Sequence, residues 1–283
     1  MSERKIMPFL KWPGGKRWLA EKLVGTFPEI NKYIEPFLGS GAVFFVLAPS
    51  KAIISDINKE LIETYIAMKN KPNALKQKLL YHQKKHSKNY YYKIRNTKPR
   101  TEINRAARFI YLNRTCFNGL YRVNRKGEFN VPIGTKKNCI YDIEYFEDYS
   151  ERLTNADIKC CDFEVAITFA NKKDLIFADP PYAMDNAGNF IKYNDKLFTW
   201  DDQERLLKSL IAARDRGANI VVTNAYCDAI KKMYEKEGFY IYEIERLCSV
   251  AGKAESRKMT KEYLITSYLI KENEENNDKN CNY

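Results

Sequence analysis

The chain has 283 residues, 45% of them hydrophobic, which is enough for one large domain or two modest ones with a sizeable core. No apolar run is long enough to cross a bilayer, the best being Ala42–Ala48, and Met1–Trp12 lacks a secretory apolar stretch. Seven cysteines without a Cys-x-x-Cys pair fit a reduced, metal-free cytoplasmic protein, and a net charge of +12 points to a polyanionic partner.

In chain order, Trp18–Phe27 reads as an amphipathic helix, Lys32–Phe37 and Ala52–Ser55 as strands, and Asn58–Lys69 as a second amphipathic helix. Pro72 to about Leu120 reads as helix throughout. Tyr121–Pro132 then reads as a hairpin turning at Asn124-Arg125-Lys126-Gly127. Strands resume at Ile158–Asp162, Asp174–Ala178, Asn219–Thr223, Phe239–Ile244 and Tyr263–Ile270. Asp201–Arg216 opens on acids and stops before Gly217, as a capped helix does. Strands alternating with helices predict a doubly wound α/β sheet. The short Leu247–Glu262 connection predicts an antiparallel pair at its edge. The expected layout is a discontinuous catalytic domain, 1–60 and 145–271, interrupted by a mainly helical insert, 61–144. A disordered polar tail, 272–283, follows.

Charge sharpens this division. Lys71–Lys137 holds 18 Lys or Arg and two acids, whereas residues 138–283 carry a net charge of −7. Aromatics interleave with the basic residues: Tyr90, Tyr91, Tyr92, Phe109, Tyr111, Phe117 and Tyr121. That mixture suits a nucleic-acid surface better than a merely solvated face. His82 and His86 are read as surface residues, Cys160 and Cys161 as packing, and Trp200 as core.

Three short motifs carry chemistry. Asp179-Pro180-Pro181-Tyr182 follows a strand, where open α/β sheets bind ligands. The Asp179 carboxylate and the Pro180 carbonyl can accept from an exocyclic amine such as adenine N6, localising its lone pair. Tyr182 offers a face on which a base can stack. Glu35-Pro36-Phe37-Leu38-Gly39-Ser40-Gly41 follows another strand, and Asp56 lies 17 residues beyond Gly39. An acid about 20 residues past a Gly turn is the arrangement that holds ribose hydroxyls. The third motif is Phe9-Leu10-Lys11-Trp12-Pro13-Gly14-Gly15-Lys16, whose backbone N–H groups and Lys16 suit a carboxylate.

Together, in this order, the motifs resemble the Dam-type (D12 class) DNA adenine-N6 methyltransferases, from Phe9 to about Tyr268. The resemblance implies a Rossmann-like S-adenosylmethionine-dependent methyltransferase sheet with an inserted, mainly helical target-recognition domain. It implies cofactor contacts from Trp12, Lys16, Glu35, Phe37, Gly39, Gly41, Asp56, Asp162, Phe163 and Asp179, and catalysis by Asp179, Pro180 and Tyr182. Asn113–Arg122 and Gly127–Pro132 resemble the family's hairpin for reading GATC in double-stranded DNA. On that pattern Lys11 and Arg122 contact guanines, and Leu120 and Pro132 make apolar contacts. Phe117 and Asn118 enter the space left by a flipped adenine, and Arg95 and Asn130 complete the DNA surface. Ala183–Thr199, hinged at Gly188, is expected to close over the base. A monomer acting without a metal is the expected form, alone or in a restriction-modification system. The alternatives are an adenine methyltransferase of other specificity or acting on RNA, and a non-catalytic DNA-binding regulator.

Overall fold

The computed structural model describes residues 6–124, 126–138, 143–182, 198–247 and 259–270. It is a mixed α/β chain with a seven-stranded sheet, as the alternation predicts. Two compact units divide it, Met1–Val24 with Leu38–Asp162, and Gly25–Phe37 with Phe163–Tyr283. The expected insert therefore falls wholly inside the first unit. The expected closing segment and tail lie outside the described residues, apart from Phe198 and Thr199. No helix among the described residues is long and apolar enough to cross a membrane.

The first unit contains α1 (Ala20–Val24), α2 (Ala42–Leu47), β2 (Ala52–Asp56), α3 (Lys59–Asn70), α4 (Pro72–Lys85), α5 (Lys88–Arg95), α6 (Glu102–Thr115), α7 (Phe146–Thr154) and β3 (Ala156–Cys160). Strands β2 and β3 pair in parallel from Ala52↔Ala156 to Asp56↔Cys160. β3 starts two residues earlier than the apolar run suggested. The continuous helix expected over Pro72–Leu120 is three helices instead. Ser87 opens α5 by accepting from the Tyr90 N–H at 3.2 Å, and Thr101 opens α6 by accepting from Asn104 at 3.4 Å. Pro99 lies in the break before α6, where it disfavours a helical residue at Lys98. The core is aromatic: Phe9 packs on Tyr65 and Tyr149 at 5.1 and 5.2 Å, and Phe45 on Tyr149 at 5.5 Å.

His82 is a correction. It is buried, with its Nδ1 2.8 Å from the Tyr90 hydroxyl and its ring stacked on Tyr111. Burial and Lys78 push its pKa down to about 4, so it stays neutral. Cys160 is likewise exposed rather than packed, and Trp200 is only half-buried.

The second unit holds β1 (Tyr33–Glu35), α8 (Phe163–Thr168), β4 (Leu175–Ala178), α9 (Trp200–Asp215), β5 (Asn219–Ala225), α10 (Asp228–Glu235), β6 (Tyr240–Leu247) and β7 (Met259–Thr266). Its strand order is β1-β4-β5-β7-β6. The first three run parallel, and β7 runs antiparallel to both of its neighbours, β5 and β6. Strand β4 is buried along its whole length, as a parallel strand covered on both faces must be. A capping box fixes the start of α9: Thr199 and Asp202 each hold the other's backbone N–H.

Candidate active site and nucleic-acid interface

In the second unit, Asp179 stands at the carboxyl end of β4. The β4–β5 register pairs Ala178 with Val222, so the next residues along, Asp179 and Thr223, become neighbours. The buried Thr223 hydroxyl donates to Asp179 Oδ1 at 2.7 Å. The Tyr182 hydroxyl lies 3.3 Å from the same oxygen and 3.2 Å from Glu262 Oε2 on β7. Burial and the two carboxylates hold the Tyr182 phenol well above its ordinary pKa, so it remains a donor. Pro180 is buried and Pro181 exposed, which fixes the chain between the acid and the tyrosine.

Glu35, on neighbouring β1, is buried and accepts from the Tyr33 hydroxyl at 3.0 Å. Burial, Glu35 and Asp179 raise the Tyr33 phenol well above its usual value. Phe37 stacks on Phe163 at 5.4 Å, and Phe198 meets both edges-on or tilted, at 5.6 and 5.7 Å. The Arg205 guanidinium lies over the Phe163 ring at 4.9 Å. Phe163 is thus a buried support for Phe37.

In the first unit, Asp56 ends β2. Its Oδ2 accepts from the Gly39 N–H at 3.1 Å and its Oδ1 from the Asn58 N–H at 2.9 Å. Burial raises the Asp56 pKa, against the pull of the Asn58, Gly39 and Ile57 N–H groups. Gly39 is required here. Its φ is +46°, and a Cβ would lie 2.6 Å from Trp12 Cδ1. Gly41, at φ +64°, starts α2. Trp12 stacks on Tyr121 at 5.3 Å and on Phe109 at 6.3 Å, so the Phe9–Lys16 motif is fastened to the basic segment. The Gly14-Gly15 turn departs from expectation in one respect. The Gly15 N–H bonds to the Trp12 carbonyl at 3.2 Å, and buried Lys16 donates to the Gly14 carbonyl at 3.0 Å. Asp162 is half-buried, just past β3.

The same unit brings together most of the expected DNA-reading residues. Asn113, itself buried, clamps the Lys11 backbone: it accepts from the N–H at 2.9 Å and donates to the carbonyl at 2.7 Å. Gly119 lies under the Lys11 side chain, at φ +67°. Beside it, Phe117 is 51% and Leu120 41% exposed, and Asn118 is left-handed at φ +56°. The hairpin closes through the Val123↔Phe129 bridge and the Asn124 N–H to Glu128 carbonyl bond of 2.8 Å. On it, Arg122 Nε donates to Asn130 Oδ1 at 2.8 Å. Exposed Pro132 gives its carbonyl to the Phe117 N–H at 2.9 Å. Arg95 is turned inward instead: it donates to the Val131 carbonyl at 3.3 Å and lies over Tyr92 at 4.8 Å.

A glycine turn answered by a carboxylate, a basic segment tied to Lys11, and an acid on a strand end occur in this order along the chain. Residues 12–250 match the profile of the D12 class N6 adenine-specific DNA methyltransferases. The chain belongs to that family. It is 39% identical to Type II methyltransferase M1.LlaDCHI of Lactococcus lactis subsp. cremoris, covering 93% of this chain and 96% of that one. It is 38% identical to Type II methyltransferase M.MjaIII of Methanocaldococcus jannaschii, covering 90% and 96%. It is 30% identical to the DNA adenine methylase of Vibrio cholerae, covering 94% and 98%.

Two residues of this adenine methyltransferase site escape a reading by motif. Thr223 and Glu262 lie 44 and 80 residues beyond the residues they contact, and only strand register brings them there. Both are polar residues buried within strands, Thr223 in Asn219–Ala225 and Glu262 in Met259–Thr266, and both strands carry other polar residues, so composition does not single them out.

Proposed function

We propose that the protein methylates adenine N6 within GATC in double-stranded DNA, with S-adenosylmethionine as donor, on a base turned out of the duplex. It acts as a monomer in the cytoplasm. The observation that carries the reading is the Asp179 carboxylate, oriented by Thr223 at a strand end beside the Tyr182 ring. Asp179 accepts from the N6 amine and localises its lone pair, the Pro180 carbonyl accepts its second hydrogen, and Tyr182 stacks on the base. When bound, the cofactor supplies an electrophilic methyl group. The chain's own donor set fits it. Asp56 suits ribose hydroxyls, and Gly39 lets the turn pack against Trp12 more closely than any Cβ would allow. Trp12, Lys16, Glu35, Phe37, Gly41, Asp162 and Phe163 complete the set we assign to it.

Turning a base out costs a few kcal/mol, which a filled gap offsets. Exposed Phe117 and Asn118 sit at the hairpin's foot and suit that task, and Lys11 and Arg122 suit the guanines. The names of the lactococcal and methanocaldococcal relatives favour a restriction-modification setting. The test is labelled methyl transfer to duplexes carrying GATC, its single-base variants, or RNA. Only GATC duplexes are expected to be labelled, and Asp179→Ala is expected to abolish labelling while DNA and cofactor still bind. Labelling of DNA without GATC would overturn the specificity.

A further inference from the structure

The Tyr182 hydroxyl has one proton and two carboxylates within reach, Asp179 at 3.3 Å and Glu262 at 3.2 Å. Which of them receives it decides what Asp179 can do. A phenol donating to Asp179 draws on the same lone pairs that must accept from the substrate amine. Asp179 already accepts from Thr223 at 2.7 Å. Glu262 is 3% exposed, on a strand facing Ala225 and Ile244 across its two neighbours. A carboxylate so placed costs stability unless hydrogen-bonded, and the low dielectric strengthens the bond it makes. An apolar residue would serve the strand better, so the acid is there for its contacts.

We propose that Glu262 is a positioning residue for methyl transfer: it accepts the Tyr182 hydrogen bond and so keeps Asp179 an acceptor for the adenine amine. This rests on the catalytic reading of Asp179. The phenol stays protonated because burial and both acids hold it above its ordinary range. Tyr182 is thereby held at two points, its backbone by the prolines and its hydroxyl by β7.

Glu262→Gln keeps the size and reverses the polarity of the contact. Its amide donates to the phenol oxygen and sends the Tyr182 proton to Asp179. Single-turnover methyl transfer is expected to fall on the order of tenfold to a hundredfold. The Kd for duplex DNA and the KM for the cofactor are expected to stay within about twofold, with little change in melting temperature. Tyr182→Phe keeps the ring and removes the proton in dispute. In that background Glu262→Gln is expected to cost no more than about twofold. Glu262→Asp, which keeps the charge, must turn over faster than Glu262→Gln. Wild-type rate in Glu262→Gln, an equal penalty in both backgrounds, or Glu262→Asp slower than Glu262→Gln would each overturn the proposal. Asp179→Ala is run alongside. If it stays active, the catalytic reading itself has failed, and this inference with it. If it is dead while Glu262→Gln is normal, only the inference has failed.

Discussion

Lys11 separates a lysine placed to read a base from an ordinary surface lysine. Burial, Lys136, Arg114 and Arg17 push its pKa from 10.5 down to about 8. The sign is definite: the ammonium is charged below that value and loses its charge as pH rises through it. Guanine acceptors and phosphates favour the cation, so DNA binding returns the pKa towards its ordinary value and takes up a proton. With about 8 in the free protein and about 10.5 in the complex, raising the pH from about 7 to about 9 weakens binding by up to roughly tenfold. Solvent screening at this half-exposed position reduces that to about threefold. The assay is the Kd of a GATC duplex across this range, with calorimetry in two buffers of different ionisation enthalpy to count the proton. Lys11→Arg keeps its charge throughout and is expected to bind with a flat profile and no proton uptake. A flat wild-type profile, or the same slope in Lys11→Arg, would refute the argument.

Three further substitutions test the glycine turn and the hairpin. Gly39→Ala places a methyl 2.6 Å from Trp12 at a φ of +46°, so Trp12 shifts and the Gly39 N–H bond to Asp56 loosens. Calorimetry should show S-adenosylmethionine affinity reduced by about tenfold or more, the loss of one charge-assisted hydrogen bond. Unchanged affinity removes this turn from the site. Arg122→Ala should lose about 1–3 kcal/mol of discrimination at one base pair, with Asn130→Ala following in the same direction by less. Equal loss on every sequence would place Arg122 on phosphate instead.

The parallel sheet was legible because its strands are short, β-branched and bounded by turn residues. The antiparallel β6–β7 end was legible from the short connection before β7. The insert's helical character was legible too, but its two breaks were not, since Ser87 and Thr101 act through single side-chain bonds that periodicity does not register. His82 misled because histidine is usually exposed; here two tyrosines satisfy it in the interior. At the site, residues on a strand end or a turn declared themselves through Gly and Pro. Thr223 and Glu262 did not, because their roles come from register across β5 and β7, which no local spacing encodes.

The charge of the basic segment also divides in a way its count conceals. Arg105 is spent on Glu63 and the Arg100 carbonyl, at 2.7 and 2.6 Å. Arg108 holds the Ile94 and Arg95 carbonyls at the end of α5, at 3.1 and 2.6 Å. Arg95 holds Val131, and Arg114 is buried. A planar guanidinium reaches two carbonyls at once and tolerates partial burial, whereas an ammonium is strongly hydrated and stays out. Lys84, Lys85, Lys88, Lys93, Lys126, Lys136 and Lys137 are accordingly exposed. The lysines thus supply the diffuse field that attracts a polyanion, and most of the arginines hold the insert in shape. Arg122 stands apart from both groups: it is exposed, yet its Nε is fixed by Asn130 on the same hairpin. An arginine oriented by a neighbour is suited to a directed contact with its remaining donors, which a phosphate does not demand and a guanine edge does.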